Sequence, residues 1–280
     1  MSKVRIDINE VSTPNIKPAL SANALFHFMN RLDYLKYALQ NKALVPRYCK
    51  ENITFLNLKV NNHTISEVAY PEKCFCDITV HNVSKHIETY GSCGIGFPKE
   101  WGISHGIQPI QYVNVKSNLI KDFKKCFKKS TKISADNYVA QDISDYLVSY
   151  MLYIKPIEGD NENRVTGDLE RVCFTDECEW RYVPDLSEKE MNPILFDNDI
   201  CQTDEYKVPI IQKYNDALRK LPDVWLDFSY KDIKYLLVHN YTERDELIDC
   251  IINLGDGTDE KQKMGLVSKI IVLDDAKEDF

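Results

Sequence analysis

No stretch of this 280-residue chain approaches the roughly 18 consecutive apolar residues that a membrane-spanning helix needs. The opening "MSKVRIDINEVSTPN" also lacks the apolar core of a secretory signal. Both absences lead us to expect a cytoplasmic protein. Regular cysteine spacing is missing too: the nine cysteines, an odd number, read in that compartment as reduced thiols used as small hydrophobic side chains. There is no excess of positive charge. Thirty-five basic against forty-three acidic side chains give a formal charge of -8, which argues against binding driven mainly by nucleic-acid phosphates. The familiar signatures of chemistry are absent as well, since the chain has no Walker lysine loop, no serine-hydrolase elbow and no HExxH helix. "GSCGIG" has the wrong spacing for a dinucleotide fingerprint and precedes a strand-like segment.

Glycine is scarce, with ten residues in all, yet five of them fall in "HIETYGSCGIGFPKEWGISHGIQPIQYV", residues 86 to 113. The hydrophobic fraction of 44% and the length allow a substantial core, so a folded protein is expected. "ALFHFM" reads as a buried strand and the leucines at 32, 35 and 39 as the helix after it, with Asn30 as its N-cap. "EVAYPEKCFCDITV" predicts a strand following Pro71, with Cys74, Cys76 and Ile78 on one face and Phe75 and Asp77 on the other. "NVSKHIETYG" reads as a short helix closing at Gly91, "CGIGF" as a buried strand, "PKEWGISHG" as a turn-rich excursion and "IQPIQYVNV" as a strand.

From about 117 to 155 the pattern is helical; 160 to 167 is the most loop-like segment. "CEWRYVP", "YKDIKYLLV" and "LVSKIIVL" read as strands, "EYKVPIIQKYNDALRKL" and "ERDELIDCIINL" as helices, the latter opened by Thr242 with Asp245. The strands and helices keep no steady βαβ rhythm. They predict one α+β domain over residues 1 to 280, a mixed or antiparallel sheet with a helical insertion at about 117–155 and a disordered acidic tail at 274–280.

A few polar residues in apolar or glycine-containing settings are the candidate site. They are His27 inside "ALFHFM", Tyr90 beside Gly91, and Glu179 and Arg181 on one face of the "DECEWRYV" strand, where they could equally form a salt-bridged pair. Gly94 and Gly96 would let a ligand or another backbone approach closely. Lys99, Glu100 and Trp101 of "KEWG" are expected at a rim, with the tryptophan as a partner-binding anchor. Cys74, Cys76, His81 and His86 could reach one metal only through a tight fold-back, so no metal site is expected. The six lysines of 121 to 132 read as a solvated helix face, with RNA as the alternative that the overall charge disfavours.

The ordered set "LFHFMNRLDYLKYALQNKALVPRYCKEN", "YPEKCFCDIT", "HIETYGSCGIGFPKEWGISHGIQPIQYV", "DECEWRYVP" and "DFSYKDIKYLLV" resembles the AbiGi family over about residues 25 to 240. That family comprises antitoxins of a bacterial abortive-infection pair that confers phage resistance. The resemblance implies a cognate toxin partner of nucleotidyltransferase type, AbiGii, encoded nearby. More distantly, the same order is similar to ADP-ribosyltransferase-like folds of other defence proteins. That likeness implies NAD as the one candidate cofactor, with His27 holding the ribose and Glu177 or Glu179 polarising it. It offers Arg31 or Arg47 for the pyrophosphate, and Gly94, Gly96 and Arg181 for the pocket wall. The two implied functions are an antitoxin that binds its toxin and, alternatively, an enzyme that cleaves or transfers from NAD through His27, Tyr90 and Glu179.

Overall fold

The computed structural model describes residues 22–60, 63–130, 132, 137–203, 208–255 and 257–278. Its centre is a nine-stranded, mainly antiparallel sheet. Along its main path the order is Ile270–Val272, Tyr235–Val238, Cys93–Pro98, Ala24–Met29, Glu67–Cys76, Glu179–Tyr182 and Gln108–Pro109. Arg47–Asn52 and Leu195–Phe196 also pair with Glu67–Cys76, and the pairing of Tyr235–Val238 with Ile270–Val272 is parallel. This is an α+β protein with a mixed sheet, as the irregular order of apolar patterns predicted.

Glu67–Cys76 is the strand on which the rest depends. Pro71 lies inside it rather than before it, between the residues that pair with Leu195–Phe196 and those that pair with Glu179–Tyr182. A residue without an N–H is tolerated in such a gap because no ladder bond falls there. Arg47–Asn52 pairs with it from Glu72 back to Glu67, whereas Ala24–Met29 meets it at Phe26↔Cys76 alone. On the other side Ala24–Met29 is zipped completely to Cys93–Pro98, from Ala24↔Pro98 to Met29↔Cys93. Residues 73–75 therefore pair with neither Ala24–Met29 nor Arg47–Asn52, and the sheet is split there.

Alternation sorts the core. Leu25, Met29, Phe75, Ile95 and Phe97 pack on one face against the helix Leu32–Asn41, while Phe26, Phe28, Cys76 and Leu237 pack on the other. A separate apolar cluster joins Tyr70 and Val68 to the helices Asn118–Ser130 and Tyr138–Met151, through Ile120, Phe123, Phe127, Leu147 and Met151. The lysines of the first of these helices lie on its outer side.

Gly91 is one of the clustered glycines whose position admits no side chain. It closes the helix Ser84–Tyr90 at φ 103°, and a Cβ there would stand 2.3 Å from the Asn30 Cα, against backbone that cannot give way.

Several local expectations need correction. The "KEWGIS" excursion is a helix, Lys99–Ser104. Asn30 does not cap Leu32–Asn41; Arg31 holds that position, and the Asn30 amide donates instead to the Arg164 carbonyl at 3.2 Å. Asn240, not Thr242, caps Tyr241–Ile252, its side chain accepting from the Glu243 amide. The acidic tail begins as the helix Leu273–Glu278, held by buried Leu273; residues 279 and 280 lie outside the described residues.

Candidate functional site

The Glu179–Tyr182 strand is pinned to Glu67–Cys76 in the register Glu179↔Cys76 and Arg181↔Cys74, so alternation aims Glu179 and Arg181 inward on one face. Arg181 is 1% exposed and Glu179 5%. Arg181 Nη2 lies 2.6 Å from Glu179 Oε1, and Nε lies 3.0 Å from Glu72 Oε2. Its Nη1 donates to the Leu152 carbonyl at 2.6 Å and to the Tyr70 hydroxyl. The second Glu179 oxygen accepts from Lys155 Nζ at 2.9 Å, and the same ammonium reaches Glu177 Oε2 at 3.0 Å. Glu177 Oε1 in turn accepts from the Tyr90 hydroxyl at 2.5 Å, which itself accepts from the Asn161 amide at 2.9 Å. A continuous polar chain thus runs from Tyr90 through Glu177, Lys155 and Glu179 to Arg181.

The charges in this chain do not balance. Glu51 stands 3.6 Å from Arg181 Nη2, so four carboxyls (Glu51, Glu72, Glu177 and Glu179) share the two cations Arg181 and Lys155. One carboxyl must therefore hold its proton more tightly. Burial pushes Glu72 up to about 7 against the pull of Arg181, with Glu51 and Glu179 adding to the rise. Both Glu72 oxygens are buried without a directed hydrogen bond, although the ion pair to Arg181 is close. Glu179 goes the other way: burial would raise it, but Arg181 and Lys155 prevail and hold it at about 2. Ligand atoms of Glu72, Cys74 and Glu179 lie within 4.8 Å of one another. The Arg181 guanidinium already supplies the cation there, so the group reads as an ion network and not as a metal cage.

His27 is not a member of this polar chain. It lies at the split in the sheet, where its Nδ1 is 2.8 Å from the Cys74 carbonyl oxygen. A carbonyl only accepts, so Nδ1 carries the proton and Nε2 faces Lys73 Nζ at 3.4 Å as an acceptor. Burial, then the charge of Lys73, keep this imidazole neutral, well below its usual range.

Of the residues singled out in the sequence, the fold joins Tyr90 to Glu179 through Glu177 and Lys155, and joins Glu179 to Arg181 directly. Among the described residues no hydrogen bond joins His27 to any of them; its ring bonds to the Cys74 carbonyl instead, and Arg47 lies near enough to act on its charge. Arg31 is tied to Asp33 on the surface. Gly94 and Gly96 make room for side chains of the sheet itself: Phe26 occupies the space beside Gly96, and Leu237 and Phe28 that beside Gly94. Trp101 is 7% exposed, stacked on Phe97 with centroids 3.9 Å apart, so it packs the core and does not stand at a rim. Lys99 pairs with Asp77 at 2.5 Å, and Glu100 is exposed.

The sequence reading missed an apolar surface. In Tyr138–Met151, Ala140, Leu147 and Met151 are buried, yet Tyr138 is 82% and Tyr146 65% exposed, with Val139 and Ile143 also exposed. Val139, Ile143, Tyr146 and Tyr150 recur at i, i+4, i+7 and i+11, a second apolar stripe beside the buried one. Beside it lies a pocket of about 300 Å³, whose lining includes Pro109, Gln111, Tyr150 and Tyr153. A helix apolar on more of its circumference than it buries could have been noticed from the spacing alone.

Comparison with known proteins bears on this arrangement. No solved structure matches the chain. Residues 42–239 match the family described as "Putative abortive phage resistance protein AbiGi, antitoxin". The chain is 33% identical over 255 residues to the abortive phage resistance protein AbiGi of Lactococcus lactis subsp. cremoris, a match covering 85% of this chain and 100% of that protein. With more than half of its length matched and that relative covered throughout, the chain belongs to the AbiGi family of abortive phage resistance proteins.

Proposed function

We propose that this protein is the antitoxin of an abortive-infection pair, acting in the cytoplasm by binding a toxin of nucleotidyltransferase type encoded beside it. The observation that carries the reading is the exposed stripe Val139, Ile143 and Tyr146, continuous with Tyr150 and the pocket by Tyr153. A contiguous apolar, tyrosine-rich surface is what a protein interface buries, and tyrosine is among the residues that dominate binding energy. The family's antitoxin role gives that surface an occupant. Co-expression of the tagged chain with the neighbouring toxin tests it: the two co-purify and the toxin's growth arrest is relieved. Failure of both would overturn the reading.

The alternative, an NAD-cleaving or ADP-ribosyl-transferring enzyme of ADP-ribosyltransferase-like fold, asks for Glu179 to be free beside His27. Both Glu179 oxygens are engaged by Arg181 and Lys155, and aromatic and aliphatic side chains fill the space at Gly94 and Gly96. The binding role is therefore the one we adopt.

A further inference from the structure

The helices Asn118–Ser130 and Tyr138–Met151 share one apolar cluster, to which the first gives Ile120, Phe123 and Phe127 and the second Leu147 and Met151. The Phe123 and Tyr150 rings meet across the pair with centroids 5.8 Å apart. Tyr150 stacks in turn on Tyr146 at 6.2 Å, so the exposed stripe of the second helix starts from its contact with the first. Packed helices stand roughly 8–10 Å apart. A partner footprint of ordinary size, about 800 Å² a side, therefore spans the outer sides of both.

This helix pair differs in charge from everything around it. Residues 116 to 151 hold seven lysines and four aspartates, a net charge of +3 inside a chain of -8, which leaves -11 for the remainder. Lys121, Lys125 and Lys129 are exposed, and among the described residues none of them forms an ion pair. Elsewhere lysines are matched to carboxylates, as at Lys36 with Glu246, Lys99 with Asp77 and Lys189 with Asp223. A solvated lysine face is ordinary when it stands alone. Here it adjoins an apolar, tyrosine-rich stripe that is exposed as well.

We propose that the partner seated on this helix pair presents an acidic surface built around an apolar anchor. Its carboxylates face Lys121, Lys125 and Lys129, and its anchor side chain packs on Val139, Ile143 and Tyr146 and into the pocket of about 300 Å³ by Tyr150 and Tyr153. The inference rests on the antitoxin reading and specifies the chemistry of the toxin surface that it requires. Opposite charge at the helix pair and like charge over the rest of the chain steer an acidic protein to this one face. Val139 and Ile143 offer aliphatic surface that a phosphate backbone has nothing to cover, and the acidic remainder repels a long polyanion.

Association kinetics of the full-length chain with the neighbouring toxin, both treated with nuclease, test the proposal. Between about 0.1 M and about 1 M salt the screening length falls from roughly 10 to 3 Å, and the association rate should drop about tenfold or more. Combining Lys125→Glu with Lys129→Glu should slow association roughly tenfold at low salt, whereas Ile143→Asp should act chiefly on dissociation. Lys125→Arg with Lys129→Arg should bind like wild type. So should Lys261→Glu, in the helix Glu260–Val267, which packs into a different apolar cluster. Lys125, Lys129 and Lys261 are all exposed, so melting temperatures should stay close to wild type. A complex whose association ignores both salt and the lysine reversals overturns the acidic-partner inference and leaves the antitoxin reading standing. No complex at all, with growth arrest unrelieved, overturns the antitoxin reading and this inference with it. Binding that disappears on nuclease treatment shows a nucleic acid on the lysines and overturns the inference too.

Discussion

Arg181 holds Glu179 from two positions along the same strand, with Nε 2.8 Å and Nη2 2.6 Å from the one oxygen Oε1. Side chains at i and i+2 share a strand face, so the backbone itself presents the pair. Breaking a buried pair by removing one charge leaves the other uncompensated, at a cost of about 3–5 kcal/mol. Glu179→Gln should therefore lower the melting temperature by on the order of ten degrees, read by thermal denaturation. A change of only a degree or two would mean that the network rearranges readily and that Glu179 is available for another task.

Glu72 and Glu179 should give opposite pH signatures. A carboxyl raised to about 7 keeps its proton when folded; its favourable contribution is full below the unfolded value of 4.5 and is lost as pH rises to about 7. A carboxylate lowered to about 2 contributes above 4.5 and loses that contribution as pH falls toward 2. Because both face Arg181, they titrate as a pair. Glu72→Gln should flatten the decline in melting temperature between pH 4.5 and 7 and leave the protein no less stable than wild type at pH 8. A variant less stable at pH 8 would show that the ionised Glu72 is needed by Arg181.

On the exposed helix stripe, Ile143→Asp and Tyr146→Ser should leave the melting temperature nearly unchanged, because both side chains already face solvent. If the stripe is where toxin binds, each should weaken co-purification by tenfold or more and reduce relief of growth arrest. Variants that bind like wild type would move the interface elsewhere without touching the antitoxin role.

Two glycines separate steric demand from mere presence. Gly91→Ala drives a Cβ into Asn30 backbone at φ 103° and should cost several kcal/mol, seen as loss of folded yield. Gly265 lies in the helix Glu260–Val267 with open space around it, and Gly265→Ala should stabilise by about 0.5–1 kcal/mol in chemical denaturation. Equal effects at the two positions would refute this distinction.

Much of the architecture was legible because alternation and helical spacing are local properties. The strands around His27, Gly94 and Glu179, and the helix ending at Gly91, lie where the pattern placed them, while the strand through Cys74 starts before Pro71 and ends at Cys76, short of Ile78. The Glu179 and Arg181 pair was legible from i, i+2 spacing. Lys155 and Glu177 were not read as partners, since they reach Glu179 only through a strand and a turn whose placement depends on tertiary packing. Trp101 misled for a related reason: "PKEWG" suggests a turn, but a short helix rotates the indole inward onto Phe97. His27 was noticed as a polar residue in an apolar strand. What the pattern could not show was that its strand departs from Glu67–Cys76 after one paired residue.

That departure gives the sheet a seam. Across residues 73–75, where a run of main-chain bonds would otherwise bind neighbours together, a single imidazole reaches the Cys74 carbonyl. Backbone bonds cannot be removed by changing a side chain, but this one can. His27→Ala would unfasten the first strand and its Cys93–Pro98 neighbour from the Glu67–Cys76 half at that point, leaving Phe26↔Cys76 as the remaining rung. The amides beside the seam should then exchange their hydrogens faster than in the wild type, with only that rung and the packing of Phe75 and Cys76 against the first strand and its neighbour still holding the two halves there.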